Sequence, residues 1–352
     1  MKLYFICSPV SGNGGIETVL ADVITHLNNK YEITLLLTND PQNKEWLARI
    51  PQNVTILYPN KGKNSAIFLM VHLLHIRNQD KVIILGANLI KYAHHLKKLL
   101  FKKWPIISWI HFSLQHQDMF DPQNLLYADY HLAISSRIKQ EMIELGIPAK
   151  NIYLIYNPIS LKDTAITLNT DDTLRLIFMG HITLDGQKNL RELFKGIAAY
   201  QQNYGKVKVD LFGSMDEGPQ CKAYAKQLGI TDCLVWHEWM ANPWHFIVKN
   251  IKADALILTS KFEGLPMVAL EALSYGLPCI TSQFDGFNDV IKEGVNGWSY
   301  PQGNITRLAD QLAQLKKIRF KQSTIKDSIS PYYSTNYYQG LSKTIKEITT
   351  RH

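Results

Sequence analysis

The chain has 352 residues, 46% of them hydrophobic, with a net charge of +8 and four cysteines. That length and apolar content can fill two cores of ordinary size, which excludes a disordered chain. Cys7, Cys221, Cys233 and Cys279 lie far apart without Cys-x-x-Cys spacing, so neither a disulfide framework nor a zinc module is indicated, and the positive charge asks for an anionic partner.

In chain order, the apolar run of Met1-Lys-Leu-Tyr-Phe-Ile-Cys7 ends at Ser8 and Pro9 without a small-residue cleavage site, so it reads as a first strand, Leu3–Cys7, rather than a signal peptide. Ser11-Gly12-Asn13-Gly14-Gly15-Ile16-Glu17-Thr18 follows as a glycine-rich turn opening a helix, whose apolar face is Ile16, Val19, Leu20, Val23, Ile24 and Leu27. Gly14 and Gly15 suit a backbone that approaches a phosphate or a sugar closely, although the run is not G-x-G-x-x-G. Strands are expected at Glu32–Thr38, Val54–Leu57, Lys81–Gly86, Ile106–Ile110, Tyr130–Ser135 and Ile152–Tyr156. The longest apolar run, Ala66–Leu74, contains His72 and falls far short of the roughly 20 residues of a membrane-spanning helix. The expected location is therefore cytoplasmic, soluble or peripheral on the inner face of the membrane.

Between Asp80 and Asp118 there is no acidic residue, while Lys91, Lys97, Lys98, Lys102 and Lys103 fall there. With Leu89, Tyr92, Ala93, Leu96, Leu99 and Leu100 at helical spacing, this segment predicts a basic amphipathic helix running to Phe101 and Trp104. It reads either as a surface for an anionic membrane or as a helix packed on a sheet. No nucleic-acid-binding motif is present.

After Asn157-Pro158 a polar stretch to about Thr173 reads as a linker, and a second strand and helix series begins. Its strands are Leu174–Met179, Val207–Phe212, Leu234–His237, Ala255–Thr259 and Cys279–Thr281, with helices near 189–204, 220–228, 243–251, 267–275 and 305–318. The expected division is an acceptor-side Rossmann-like domain over 1–160, a nucleotide-sugar domain over 174–330, and a helix over 331–352 packing back on the first. In the second domain Gly180-His181-Ile182-Thr-Leu184-Asp185-Gly186-Gln187-Lys188-Asn189 repeats the place of the glycine-rich turn, and Lys188 near a helix start suits a diphosphate.

The most informative stretch is Ser260 to Pro278. Glu263 falls in a strand-to-helix loop and Glu271 about two turns into the helix that Gly276 ends. The free N–H groups of the first helical turn, around Leu265 to Val268, suit phosphate, and a carboxylate in that crevice suits vicinal hydroxyls; together these describe a nucleotide sugar, with Gly264, Leu265, Pro266 and Met267 on the donor side. On the residues alone, Glu263 as a helix cap and Glu271 as a surface residue remain equally open.

These pieces in this order resemble glycosyltransferase family 4, the retaining transferases of GT-B fold, over essentially the whole chain. The likeness is to the bacterial lipopolysaccharide 1,6-galactosyltransferases, through the Gly14-Gly15 turn, Ile110-His111-Phe112, Tyr127-Ala128-Asp129-Tyr130, Gly186-Gln187-Lys188 and Phe262-Glu263-Gly264. The resemblance implies two doubly wound α/β domains facing a central cleft, with the C-terminal helix crossing back, and retaining transfer of a hexose from a UDP-sugar to a hydroxyl of an envelope glycan. It implies galactose as the hexose and lipopolysaccharide core as the acceptor, and no cofactor, since no Asp-x-Asp metal motif occurs. It also assigns Glu271 to the ribose, Glu263 and His111 to the hexose, Lys188 with Gly180 and His181 to the diphosphate, and Gly213 and Glu238 to the uracil side. The family usually carries Gly-Arg where this chain has Gly180-His181, which leaves Lys188 more of the leaving group. The competing readings are a glucosyl- or N-acetylglucosaminyltransferase of exopolysaccharide or teichoic acid, a hydrolysing epimerase, and a non-catalytic glycan-binding or chaperone protein of the same fold.

Overall fold

The computed structural model describes residues 1–8, 15–41, 43–61, 64–115 and 117–350. The chain divides into two compact units, Met1–Pro158 with Ser334–His352, and Ile159–Tyr333.

The first unit carries β1 (Lys2–Cys7), α1 (Gly15–Leu27), β2 (Glu32–Leu37), β3 (Thr55–Leu57), α2 (Ser65–Leu74), β4 (Lys81–Leu85), α3 (Ala87–Leu99), β5 (Ile106–Ile110), β6 (Tyr130–Ala133), α4 (Ser136–Glu144) and β7 (Ile152–Leu154). Its strands form a parallel sheet in the order β3-β2-β1-β4-β5-β6-β7. Every residue of β4, β5 and β6 is buried, as a parallel sheet covered on both faces requires. Strand order reverses between β1 and β4, and the carboxyl ends of those strands are where an open α/β sheet admits a ligand.

The second unit continues with β8 (Leu174–Met179), α5 (Leu190–Asn203), β9 (Val207–Phe212), α6 (Gly218–Gln227), β10 (Leu234–His237), α7 (Pro243–Asn250), β11 (Ala255–Leu258), α8 (Met267–Ser274), β12 (Cys279–Ser282), β13 (Gly297–Tyr300), α9 (Ile305–Leu315) and α10 (Gln322–Ser328). Its parallel sheet runs β10-β9-β8-β11-β12-β13, with the reversal between β8 and β11. A core of Leu176, Phe178, Leu193, Phe194, Ile197 and Leu308 joins sheet to helices. A final helix, α11 (Ser334–Thr350), returns to the first unit, where Tyr338 stacks on His26 of α1 at 4.0 Å and Lys30 reaches Ser342.

Several expectations need correction. The segment read as a linker is built into the second unit: the amides of Ile159, Ile166 and Asn169 donate to Tyr332, Tyr275 and Ala253, so its polar composition reflects edge hydrogen bonding rather than a free tether. The edge strand β13, whose Gly297 lies against Cys279 too closely for any Cβ, went unanticipated because Gly-Trp-Ser-Tyr is too short to show a period. The basic helix α3 stops at Leu99, and Trp104 is fully buried beyond it. Ile90, Ala93 and Leu96 of α3 are buried, and two of its lysine cluster are engaged internally, Lys97 with Asp129 at 2.9 Å and Lys102 with the carbonyl of Ile76 at 3.1 Å. All four cysteines are buried thiols. Among the described residues no helix is long and apolar enough to cross a membrane.

Candidate active site

In the first unit the ends of β1, β4 and β5 surround a cavity of about 580 Å³ lined by Ser8, Glu17, Asn88, Trp109, His111 and Phe120, among others. His111 follows the last residue of β5, with its ring against Trp109 at 4.7 Å. Its Nε2 is buried with no hydrogen-bond partner, and burial pushes the imidazole down to about 3. At neutral pH His111 is therefore uncharged and can act on a ligand through hydrogen bonding alone. Glu17, the third residue of α1, is also buried and lies close enough to the Cys7 thiol to add to the burial that raises it to about 12.

The glycine-rich turn fits its expected role only in part. Gly14 lies outside the described residues. At Gly15 an added Cβ would meet nothing within 4 Å, so no close approach within the protein requires glycine there.

In the second unit Gly180, Gly213, Lys188 and Glu263 come together. Gly180 ends β8 and Gly213 ends β9, and a Cβ on Gly213 would lie 1.8 Å from the Gly180 carbonyl oxygen, a contact only glycine permits. The Lys188 stem passes over Gly180, where a Cβ would come within 3.1 Å of Lys188 Cε. Its ammonium reaches Glu263 Oε1 at 2.6 Å, and Ser260 Oγ donates to the same oxygen at 2.5 Å. Gln187 Nε2 donates to Glu263 Oε2 at 3.2 Å and to the Phe262 carbonyl at 2.9 Å. Both charged side chains are largely buried, so the pair is a desolvated one held by two further donors. The Thr259 hydroxyl is shared between the carbonyls of Lys188 (2.8 Å) and Asn189 (3.1 Å), pinning the left-handed turn at Asn189 (φ 52°) from which α5 starts.

Gly264, Leu265 and Pro266 lead into α8 at Met267, and no side chain caps its first turn. Glu271 is the fifth residue of α8, one turn in rather than two, because the helix starts only after Pro266. Its company differs from that of Glu263: Trp244 Nε1 donates to Glu271 Oε2 at 2.6 Å, Trp244 stacks with Tyr275, and the Lys162 ammonium lies 5.6 Å from the Tyr275 ring. Burial raises the Glu271 carboxyl above the usual range, against the hydrogen bond from Trp244 and the charge of Lys162.

His181 is exposed, with Nδ1 2.7 Å from Asp216 Oδ2 and 3.0 Å from Ser214 Oγ. The His181 hydrogen bond, reinforced by Ser214, holds the Asp216 carboxyl below its usual range. An ionised carboxylate only accepts, so Nδ1 carries the proton and Nε2 of a neutral ring is an acceptor; only the imidazolium can donate from Nε2. Glu238 is exposed just past β10, where His237 stacks on Phe212 at 4.2 Å and bonds Asp210. Sequence reasoning missed Glu17, Gln187, Ser260, Asp216 and Trp244. The first three sit inside motifs already singled out, whereas Asp216 and Trp244 lie outside them.

Residues 13–163 match the family described as Glycosyltransferase Family 4, and residues 162–328 match Glycosyl transferases group 1. The chain is 33% identical to the lipopolysaccharide 1,6-galactosyltransferase of Salmonella typhimurium over 98% of each protein. To the Escherichia coli protein of the same name it is 35% identical, covering 100% of this chain and 99% of that one. The solved structure described as lipopolysaccharide outer core galactosyltransferase WaaB, apo form, superposes with a TM-score of 0.85 at 33% identity over 99% of both chains. The fold is also that of Anabaena HepE in complex with UDP, with a TM-score of 0.79 at 16% identity over 99% of this chain and 100% of that one.

Proposed function

This chain belongs to the glycosyltransferases, in the family that holds the lipopolysaccharide 1,6-galactosyltransferases, and from that premise we propose that it transfers galactose from UDP-galactose to a hydroxyl of the lipopolysaccharide core with retention of the α-configuration. The observation that carries the reading is the Lys188 and Glu263 pair, 2.6 Å apart at the β8/β11 switch point and backed by Ser260 and Gln187. A buried cation beside a buried carboxylate suits a ligand that presents anionic phosphate next to neutral hydroxyls.

In this reading Lys188 and the uncapped first turn of α8 stabilise the charge that develops on the β-phosphate as the bond from C1 to the leaving oxygen breaks. A β-phosphate oxygen takes the acceptor proton while the acceptor oxygen bonds C1 on the same face, so UDP leaves and no protein nucleophile is needed. Glu263 holds hexose hydroxyls and Glu271 the ribose, while His111, neutral and with Nε2 bonded to none of the described residues, offers the first unit's cavity a hydrogen-bonding group. The charge work rests with Lys188 and the amides, so activity should survive EDTA. The test is purified protein with UDP-galactose, UDP-glucose and UDP-N-acetylglucosamine, each read by thermal stabilisation and by transfer to a deacylated core oligosaccharide. UDP-galactose at about 100 times its dissociation constant should stabilise by roughly 2.7 kcal/mol. Stabilisation by another sugar alone, or activity that disappears with EDTA, overturns the corresponding part.

His181 supplies a prediction of its own. Held by Asp216 through Nδ1, a neutral ring offers a diphosphate no donor from Nε2. His181→Arg should strengthen UDP binding, since a guanidinium stays charged and presents a fork of donors. Unchanged UDP affinity in His181→Arg would remove His181 from the diphosphate.

A further inference from the structure

We propose that the outward face of α2, together with the turn that ends α3, is an interfacial docking surface for an anionic lipid bilayer. Helix α2 has two apolar faces. Leu69 and Leu73 point into the unit and are buried, whereas Ile67, Met70, Val71 and Leu74, at the i, i+3, i+4, i+7 spacing of one helical stripe, are exposed, Ile67 by 57%. The helices α2 and α3 lie side by side and run the same way: Tyr92 OH, midway along α3, donates to the Ala66 carbonyl at the start of α2 at 2.8 Å, and just past their ends Lys102 Nζ donates to the Ile76 carbonyl and the Lys103 amide to Asn78 Oδ1. The exposed Leu99 (73%) and Phe101 (91%) at the end of α3 thus fall beside the end of the α2 stripe.

Phe101 is the most informative of these residues. The Lys102 amide bonds the Lys97 carbonyl and the Phe101 amide bonds that of Lys98, the paired bonds of a Schellman ending, and Phe101 takes its left-handed position with φ 52°. Glycine is the usual residue there, because a side chain with that φ is strained. Neither backbone preference nor burial within the fold selects a phenylalanine in water at this position. A surface outside the protein does.

Charge identifies the occupant. From 46 to 117 the sequence contains one carboxylate, Asp80, which is fully buried and bonded by the Lys2 amide and Arg77. Lys91, Lys98 and Lys103 are exposed in the same stretch. An apolar stripe flanked by cations, on a stretch of chain whose one carboxylate is buried, complements a phospholipid surface, with apolar side chains among the acyl chains and ammonium groups at the phosphates. A second copy docking on this face would set lysines against lysines. At ten residues α2 is about 15 Å long, a helix that lies in the interface rather than crossing it. The surface does not depend on the donor chemistry, so it stands or falls separately from the proposed activity.

The experiment is co-sedimentation of the full chain with vesicles of phosphatidylcholine alone and of phosphatidylcholine with phosphatidylglycerol. Binding is expected to the second only, and to weaken with salt. Phe101→Gly is the decisive variant: it should lower vesicle affinity by at least about tenfold, the scale of withdrawing one large apolar side chain from lipid, while its thermal midpoint stays level or rises. Leu74→Gln should act in the same direction, and Lys98→Gln or Lys103→Gln should each reduce affinity about fivefold, the equivalent of roughly 1 kcal/mol per lysine near an anionic surface. Hydrolysis of UDP-sugar in free solution should be unaltered in all of them. Wild-type affinity in Phe101→Gly overturns the proposal, as does equal binding to both vesicle types. So does a wild-type dimer, seen by sedimentation velocity, that Phe101→Gly converts to monomer, because the face would then belong to a second copy.

Discussion

Replacing Lys188 by alanine should lower kcat by about 10² or more, the scale of removing one donor from a developing negative charge. It should also cost stability, because the change leaves Glu263 buried beside Ser260 and Gln187 without its cation, and breaking one side of a buried pair typically costs about 3 to 5 kcal/mol. A domain of ordinary stability survives that loss, and the two effects can be separated. In the double variant Lys188→Ala with Glu263→Gln no buried charge remains unpaired, so much of the lost stability should return while turnover stays low. Denaturation midpoints and kcat measured on both singles and the double give the full cycle. If Lys188→Ala unfolds more easily but turns over normally, the pair is structural, the diphosphate is held elsewhere, and the alignment of Gly180 to Lys188 with a phosphate site fails.

That cycle rests on contacts of two kinds, one legible in the sequence and one not. The strands of both units were readable because a parallel sheet buried on both faces demands unbroken apolar runs such as Ile106–Ile110 and Leu174–Met179. Glu263 and Lys188 were readable because each sits at a strand-to-helix turn, where backbone amides and side chains converge. Ser260, Gln187 and Trp244 were not, because their roles arise from distances between segments that lie some 27 to 76 positions apart or from the path of a loop, and no local period records those. The region after Pro158 misled for a related reason. A polar stretch that donates its amides to a neighbouring edge has the same composition as a tether. Likewise the helical period of α3 marked its apolar stripe correctly but could not say which lysines were already engaged, and the unbroken apolar run of α2 does not show which of its faces stays exposed.

Glu271 offers the second large effect, with a pH dependence set by its buried carboxyl. Burial raises its carboxyl above the usual range more than the Trp244 hydrogen bond and the Lys162 charge lower it. A carboxyl raised in the folded state contributes stability that is fully present below its unfolded pKa and is lost as pH rises through the folded value, so above that value the ionised group is held at a cost. Two ribose hydroxyls donating to that carboxylate offset the cost, which makes UDP binding favour the ionised form. Affinity should therefore weaken as pH falls through the raised value, with a proton released on binding in that window, measurable by calorimetry in two buffers of different ionisation enthalpy. In Glu271→Gln the amide oxygen still accepts from Trp244, so the fold should hold, but the charge that accepted the hydroxyls is gone. Affinity should drop by roughly ten- to a hundredfold, the equivalent of about 1.5 to 3 kcal/mol for hydrogen bonds to a charged group, and the proton release should vanish. UDP affinity unchanged in Glu271→Gln, or proton release that persists in it, would show that the ribose lies elsewhere and that Glu271 serves to anchor Trp244 and Tyr275 beside α8.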